Sequence, residues 1–580
     1  MEYNFQENKA IIRIKQIQLK NFKNIKDSKC LLITNKQENN DENSSILGLY
    51  GQNGSGKTAI IDSIHILKYA MSGESLPDRF SDCISVNAKE ANLEYTFSLQ
   101  YPYSKEQIRI IVYSFDLIRD SELSKTQEQI RNQKQRIGQE KHVRIVNEII
   151  SMGGRIGGKT IKLQPVIRTD TSPEPIGPVR KIPSLLGKTG RKEKMQRIAE
   201  IKQEAFSKSR SLLFSHDMLF FYMLSILKSL PASSVVARAF FEQVFGMHYD
   251  ESLQVNDTEQ AIIDVIMEKG PSAIQSMDPS VIERFGERPS ESEERIFDEN
   301  SFKAFYRGKE NLSLPDNVFD EIEWKENEDE SFAHDVLSTL QSLSLYASTS
   351  LYVVDTRTEG AIRLKQRLPF MTREKTFEIP LDSSFSIPID DCTNLNYCIH
   401  GLNGVLKLLI PGLGLALQES EGSRAHYRSF SLFASRNENF YPLRFESDGV
   451  IRLISLLWLI IPAFNDRSFT LAVDEIDGGI YEYLLGDLLN LFVERGKGQL
   501  IFTSHNLRPL EMIPKDSIVF TTTNPDNRYV RLKGIGQTNN LRDVYLREIW
   551  KQESADPLYE AGDSKEIIRA IQKASLGFFS

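Results

Sequence analysis

The chain is poor in cysteine, and the few cysteines that it has are scattered. Only four occur in 580 residues, and none forms a C-x-x-C pair, which excludes a disulfide scaffold and argues against a zinc site. The N-terminus also lacks a basic segment followed by an apolar one, so we expect no secretory signal. These absences favour the cytoplasm as the location of the protein.

Long hydrophobic runs are missing as well. The longest, residues 450–464, is interrupted by Arg452 and Pro462 and falls short of the roughly 20 apolar residues that a membrane-spanning helix needs. We therefore predict a buried helix there and no membrane partner. No regular repeat and no sustained heptad pattern is visible, which argues against a repeat protein and against a long coiled-coil arm.

An excess of positive charge is also lacking. The formal net charge is −8, which argues against a protein that coats nucleic acid over its whole surface. Locally the balance varies, because basic residues dominate 125–210 and acidic residues dominate 283–335. Such runs are usually solvated faces, but a basic surface for nucleic acid or for an acidic partner remains an alternative.

The most informative segment that is present is GQNGSGKT, residues 51–58. It matches the phosphate-loop pattern G-x-x-x-x-G-K-[ST] and lies between a strand-like and a helix-like stretch, as that mechanism requires. The glycines let backbone N–H groups approach phosphates, the lysine adds a positive charge, and the threonine hydroxyl is expected to reach Mg²⁺. The predicted nucleotide-binding residues are Gly51, Asn53, Gly54, Ser55, Gly56, Lys57 and Thr58.

A second half of the same site is predicted near the other end of the chain. Residues 469–475 are an apolar stretch that ends in Asp474 and Glu475, which is typical of a buried parallel strand with acids at its carboxyl end. Asp474 is expected to hold Mg²⁺ through water, and Glu475 to polarise the attacking water. His505 follows the next apolar strand, 499–503, where it could contact a γ-phosphate.

The patterns between these two halves divide the chain into three parts. Residues 1–120 show strand-like alternation around the phosphate loop, with a hairpin predicted over 93–113. Residues 121–340 are charged and mainly helical, with glycines and prolines marking an irregular stretch near 153–178. Strand-like runs return in residues 341–580. We predict an α/β fold in which N- and C-terminal segments build one domain around a large insertion.

Several motifs, taken in order, resemble those of a known family. They are the segment 17–25, IQLKNFKNI, the phosphate loop, the tetrapeptide ESDG at 446–449, the acids at 474–475 and Ser-His-Asn at 504–506. In this order they resemble the SMC/RecF/OLD-like branch of ABC-type ATPases. More narrowly, the chain is similar to single-chain ATPases of prokaryotic anti-phage systems, which are often paired with a nuclease or another toxic effector. The resemblance covers roughly the first 115 and the last 230 residues.

The resemblance implies an ABC-type P-loop ATPase head and a signature motif. Ser447 and Gly449 match the serine and last glycine of that motif, which reaches the γ-phosphate held by a second subunit, so a homodimer, or a higher oligomer built from it, is implied. Asp448 and Glu446 depart from the usual glycine and leucine, and an acid beside a phosphate is electrostatically unfavourable. Ser447 or Asp448 is also a candidate cap for the helix that follows, and this role is compatible with the first.

The implied activity is ATP hydrolysis to ADP and phosphate with Mg²⁺. If the protein acts as a scaffold, this hydrolysis is expected to be slow. Thr58 and Asp474 are the implied metal ligands, and Glu475 and His505 the implied catalytic residues. The favoured function is a nucleotide-gated sensor or scaffold in anti-phage defence that acts with a separate effector chain. The alternative is a RecF-like, DNA-binding ATPase of DNA repair, for which turnover stimulated by DNA and weakened by salt would be expected.

Overall fold

The computed structural model describes most of the two ends of the chain and little of the middle. The described residues are 10–33, 44–101, 108–119, 142–156, 159–169, 201–215, 328–355, 367–371, 376–419, 426–436, 439–532, 540–550, 556–559 and 566–570. The strands are β1 (Ile11–Phe22), β2 (Ile25–Leu31), β3 (Ser45–Tyr50), β4 (Glu90–Gln100), β5 (Ile108–Arg119), β6 (Val143–Ile156), β7 (Lys159–Arg168), β8 (Leu351–Val354), β9 (Arg367–Met371), β10 (Thr376–Pro380), β11 (Phe385–Pro388), β12 (Leu413–Glu419), β13 (Tyr427–Arg436), β14 (Asn439–Pro442), β15 (Thr470–Val473), β16 (Gln499–Thr503), β17 (Ile518–Thr521) and β18 (Tyr529–Val530). The helices are α1 (Lys57–Ser72), α2 (Glu328–Thr349), α3 (Ile389–Leu409), α4 (Asp448–Asn465), α5 (Glu482–Arg495), α6 (Pro509–Met512) and α7 (Leu541–Trp550).

A six-stranded sheet unites the two ends of the chain. Its order is β18-β17-β3-β16-β15-β8, and all neighbours are parallel except β17 and β18. Every residue of β3, β15 and β16 is buried, as expected for parallel strands that are covered on both faces. Because β3 lies between β16 and β17, the phosphate-loop strand is held by C-terminal strands. The predicted α/β fold, built from both ends of the chain around the phosphate-loop strand, is confirmed.

A second six-stranded sheet, in the order β2-β1-β4-β5-β6-β7, is antiparallel throughout. The hairpin predicted over residues 93–113 is confirmed as β4 and β5. The expectation of charged helix and irregular chain beyond residue 121 is wrong for 143–156 and 159–168, which form β6 and β7. Gly153 lies within β6, and a Cβ on it would lie 2.7 Å from the Leu163 backbone. The glycine therefore permits close approach of the neighbouring strand and does not end β6.

These two added strands bear on the proposed division of the chain. They extend the N-terminal sheet past the boundary proposed at residue 120, so the sheet does not end there. Of the insertion at 121–340, the structure describes only 142–156, 159–169, 201–215 and 328–340. The predominantly helical character expected for the rest falls outside the described residues.

Two hydrophobic cores flank the central sheet, because alternate residues of each strand face opposite sides. Leu47 and Leu49 of β3 pack into the first core with α1, α2 and the antiparallel sheet. Ile46 and Tyr50 face the second core, which α4 and α5 complete. Among the described helices, α4 alone is long and apolar enough to span a membrane, yet 61% of it is buried within the protein. It is the buried helix predicted from the apolar run.

Smaller β elements surround the second core. Strands β11, β12, β13 and β14 form a separate antiparallel sheet on which α3 packs, and β9 pairs with β10. The Trp458 indole of α4 donates to the Pro369 carbonyl of β9 at 2.7 Å, which ties that hairpin to the core. Strand β18 and helix α7 confirm the strand and helix expected over residues 529–550.

Candidate nucleotide-binding site

The phosphate loop joins β3 to α1 and depends on glycine at two different kinds of position. Gly56 precedes the first residue of α1 with φ of 105°, a conformation that side chains disfavour. Gly51 lies against β17, and a Cβ on it would meet the Thr521 hydroxyl at 2.0 Å. By contrast, nothing lies within 4 Å of the Cβ position at Gly54, so the loop faces open space on that side. The loop backbone and the N-terminus of α1 therefore form an accessible cradle for an anion.

The C-terminal hairpin holds this loop from behind. Thr521 donates to the Tyr50 carbonyl at 3.1 Å and contacts the Ser55 hydroxyl. Tyr529 donates its hydroxyl to the Gly56 carbonyl at 2.9 Å, and burial raises the pKa of this tyrosine well above its ordinary value. Ser55 is buried, so its side chain supports the loop rather than facing a ligand.

Lys57 reaches back over the loop. Its ammonium group donates to the carbonyls of Gly51 at 2.7 Å and Gln52 at 3.1 Å. Phosphate oxygens are stronger acceptors than peptide carbonyls because they carry charge. The lysine is therefore already placed where a bound anion would attract it.

Thr58 and Asp474 bring the two ends of the chain together. The Thr58 hydroxyl donates to Asp474 Oδ1 at 3.3 Å, across a separation of 416 residues. Asp474 is fully buried, at the carboxyl end of β15. A hydroxyl and a carboxylate side by side are hard oxygen ligands that suit Mg²⁺, which typically takes one or two protein ligands and completes its shell with phosphates and water. The described residues hold no group of three or more histidine, cysteine or acidic side chains arranged to hold a metal ion, and Mg²⁺ bound in this way needs none.

Thr503, which was not predicted as a site residue, connects the two acids. Its hydroxyl donates to Asp474 Oδ1 at 2.6 Å and accepts the Glu475 N–H at 2.7 Å. Glu475 itself has a φ of 50°, which is unusual for a residue with a side chain. The backbone of Glu475 is thus held in a strained conformation beside the cleft.

His505 follows β16 on a loop tied to the same region. The backbone N–H groups of His505 and Asn506 donate to Asp477 Oδ2 at 3.1 and 2.9 Å. Asp477 lies in the turn after Glu475. The histidine and the paired acids are therefore linked through one carboxylate.

A cleft of about 360 Å³ opens between these groups, which is within the range of small-molecule sites. Eight predicted residues line it: Asn53, Gly54, Gly56, Lys57, Thr58, Asp474, Glu475 and His505. Lys23, Asn24, Ala59 and Thr503 also line it. Gly51 and Ser55 belong to the loop but contact Thr521 of β17 and do not line the cleft. The lining also includes neither Ser447 nor Gly449.

Lys23 and Asn24 come from the turn between β1 and β2. Asn24 donates its side-chain amide to the Gly54 carbonyl, and Lys23 forms an ion pair with Asp62 of α1. Burial raises the pKa of Asp62, and the charge of Lys23 opposes that rise. Both residues lie within the segment 17–25 that carries the family resemblance, so the sequence held a signal for them without showing their position.

Ser447 and Gly449 lie at the start of α4. The Ser447 hydroxyl accepts the Val450 N–H at 3.4 Å, so the helix-capping role is confirmed for this serine. A Cβ on Gly449 would lie 2.5 Å from the Gly479 carbonyl, so glycine permits close packing there. Glu446 forms a 2.8 Å ion pair with Arg436, and this hydrogen bond lowers the pKa of Glu446.

Comparison with known proteins finds similarities in sequence and in structure. Residues 16–214 match the family model described as an AAA domain. No curated protein matches the sequence. The solved structures that are similar include the Smc head domain with an extended coiled coil bound to the C-terminal domain of ScpA from Pyrococcus furiosus, with 11% identity, a TM-score of 0.33, and coverage of 90% of this chain and 96% of that one. The Smc head domain with a coiled coil and joint from Pyrococcus yayanosii shows 13% identity, a TM-score of 0.33, and coverage of 93% and 99%.

The phosphate loop, the acids opposite it and the sheet that joins them define this part of the protein as a P-loop nucleotide-binding fold. Residues 16–214 are similar in sequence to an AAA domain.

Proposed function

We propose that the protein binds ATP with Mg²⁺ in this cleft and hydrolyses it to ADP and phosphate. The observation that carries the proposal is the 3.3 Å contact between Thr58 and Asp474, because it joins a phosphate-loop hydroxyl to a buried carboxylate. Bound Mg²⁺ would neutralise charge on the phosphates, with Thr58 and Asp474 as its protein ligands.

Each group in the cleft has a separate role in the proposed reaction. Backbone N–H groups of the loop and the ammonium group of Lys57 bind the phosphates and stabilise negative charge. Glu475 orients the attacking water by accepting a hydrogen bond from it, and then takes its proton as general base. We assign His505, which lines the cleft from the loop after β16, to contact the terminal phosphate and to respond to its loss.

We further propose that two copies meet head to head across two nucleotides and act on a separate effector protein in anti-phage defence. The support for the dimer is that Ser447 and Asp448 are exposed at the N-terminus of α4, where a helix favours a phosphate. The support for the defence role is the narrower resemblance of the chain to single-chain ATPases of prokaryotic anti-phage systems. ATP can drive such closure only by binding the closed form more tightly.

The test is steady-state ATP hydrolysis by the parent and by Glu475→Gln. We expect the variant to bind ATP but to lose at least about 100-fold in turnover, the range that general-base catalysis supplies. Glu482→Gln, on the exposed start of α5, is the matched control and should hydrolyse ATP as the parent does. Equal turnover by Glu475→Gln and the parent would remove Glu475 from the base role.

A further inference from the structure

Arg452 extends from the second turn of α4 to the turn that follows Glu475. Only 7% of the residue is exposed, and its guanidinium group donates through Nη2 to the backbone carbonyl of Glu475. The same carbonyl accepts the Gly478 N–H at 3.1 Å. Arg452 therefore contacts the backbone of the proposed base while lying on the helix that Ser447 caps.

Gly478 leaves room for this guanidinium group. A Cβ on Gly478 would lie 2.6 to 2.8 Å from three of its atoms, so any larger residue would displace the arginine. Burial lowers the pKa of Arg452, while the carboxylates of Asp477, Glu475 and Asp474 oppose that change. The arginine thus supplies a positive charge beneath a turn that is rich in acids.

The backbone of Glu475 is held from both sides. Its N–H donates to Thr503 at 2.7 Å, and its carbonyl accepts from Arg452. Without such contacts a non-glycine residue at φ of 50° would tend to relax to a right-handed or extended conformation. Since the backbone sets the direction of the Cα–Cβ bond, these contacts also direct the carboxylate.

We propose that Arg452 is a positioning residue, which aims the Glu475 carboxylate and ties its orientation to the start of α4. This inference rests on the proposed ATPase function. A contact made at Ser447 would shift the start of α4, and Arg452 would transmit that shift to the turn 475–478. Asp477 of this turn binds the His505 loop, so the shift would reach both sides of the cleft.

The kinetic test compares Arg452→Met with the parent. We expect kcat to fall by about 10- to 100-fold, the effect of misplacing a catalytic group, while KM and the affinity for ATP stay within about twofold because Arg452 does not line the cleft. Arg495→Met, on the exposed end of α5, is the control and should leave kcat unchanged. Arg452→Lys should recover part of the activity, because it restores one donor and the charge.

Gly478→Ala provides an independent perturbation that retains the arginine. Its methyl group should push the guanidinium away from the Glu475 carbonyl and so lower kcat in the same direction. If both changes act on one contact, the double variant should lose less than the product of the two single losses. Strictly multiplicative losses would contradict a shared mechanism. Should Arg452→Met fail to fold, as judged by circular dichroism, Gly478→Ala alone carries the kinetic test.

Hydrogen exchange separates failure of this inference from failure of the proposed function. In the parent the Gly478 amide is bonded to the Glu475 carbonyl, so Arg452→Met should exchange faster at residues 475–478 whether or not ATP is hydrolysed. Faster exchange with reduced kcat supports the inference. Unchanged exchange, or parental kcat in Arg452→Met when Glu475→Gln is inactive, overturns it. A parent that binds no ATP refutes the proposed function, and the exchange result then decides whether Arg452 holds the turn.

Discussion

At the scale of single residues, the cleft depends on a threonine as much as on its acids. Thr503 donates to Asp474 and accepts from Glu475, and it is fully buried. One hydroxyl therefore aligns the carboxylate that we propose as a metal ligand and fixes the amide of Glu475, the proposed base. A buried group with two such partners cannot be removed without leaving at least one of them unpaired.

Thr503→Val keeps the shape of the side chain but removes the hydroxyl. We expect the variant to lose about 1–3 kcal/mol of stability, because the Glu475 N–H stays buried without its acceptor. It should also need more Mg²⁺ for half-maximal ATP turnover, since Asp474 loses the donor that orients it. Thermal unfolding and a magnesium titration measure the two effects. Thr503→Ser restores the hydroxyl and should behave like the parent; a Thr503→Val enzyme with parental magnesium dependence would contradict this role.

The sequence predicted cleft residues whose chemistry is written in local patterns. Lys57 and Thr58 follow from the phosphate loop, and Asp474 follows from an apolar strand that ends in acids. Lys23, Thr503 and Arg452 were not predicted as site residues. Each acts through a contact with a segment far away in the chain, and no spacing within their own segments encodes that contact.

At the scale of secondary-structure elements, a buried carboxylate in β6 anchors the segment 201–215. Glu148 of β6 accepts hydrogen bonds from the hydroxyls of Tyr113 and Ser211 and from the backbone N–H groups of Leu212 and Leu213. The segment 201–215 also meets the chain that follows α1, where the Leu76 N–H donates to the Ser209 carbonyl at 2.9 Å. The segment 201–215 is therefore fixed to the residues directly after the helix that begins at the phosphate loop.

Glu148→Gln should release this anchor. The glutamine amide would present N–H groups to donors, so about 1–3 kcal/mol of stabilisation should be lost. We expect faster hydrogen exchange at Leu212 and Leu213 and a lower melting temperature. Glu90→Gln, exposed at the start of β4, is the control. Parental exchange at both leucines in Glu148→Gln would show that the carboxylate does not hold the segment.

Elements were predicted well where burial shapes the pattern strongly. Strands β3, β15 and β16 of the central sheet are continuous apolar runs, and the β4–β5 hairpin alternates cleanly, so these elements were predicted. Strands β6 and β7 were missed because Gly153 and Gly154 suggested a break. Glycine in a strand signals close approach of a neighbour as readily as a turn, and only the packed sheet distinguishes the two.

At the scale of the whole molecule, the two ends of the chain build one cleft, which is lined by the proposed phosphate-binding groups. Exposed Ser447 lies outside the lining of that cleft in the described structure. A second copy is the proposed source of a lid, so assembly should depend on nucleotide. Because hydrolysis would reopen a closed dimer, Glu475→Gln is the background in which to detect it.

With MgATP, Glu475→Gln should run as a dimer in size-exclusion chromatography with light scattering. Adding Ser447→Arg should return it to the monomer, because a long charged side chain would occupy the proposed interface. Adding Ser383→Arg, at an exposed site in the turn after β10, should leave the dimer intact. A dimer that persists in the Ser447→Arg variant would contradict the head-to-head arrangement.

The central claim is that residues separated by most of the chain enclose one Mg²⁺-ATP. Calorimetric titration of ATP in the presence of magnesium tests it directly, with Lys57→Ala and Asp474→Asn as variants from the two ends. We expect saturable binding by the parent and a loss of at least about tenfold in affinity in each variant, the order of one charge-assisted contact. No binding by the parent, or parental affinity in both variants, would contradict it.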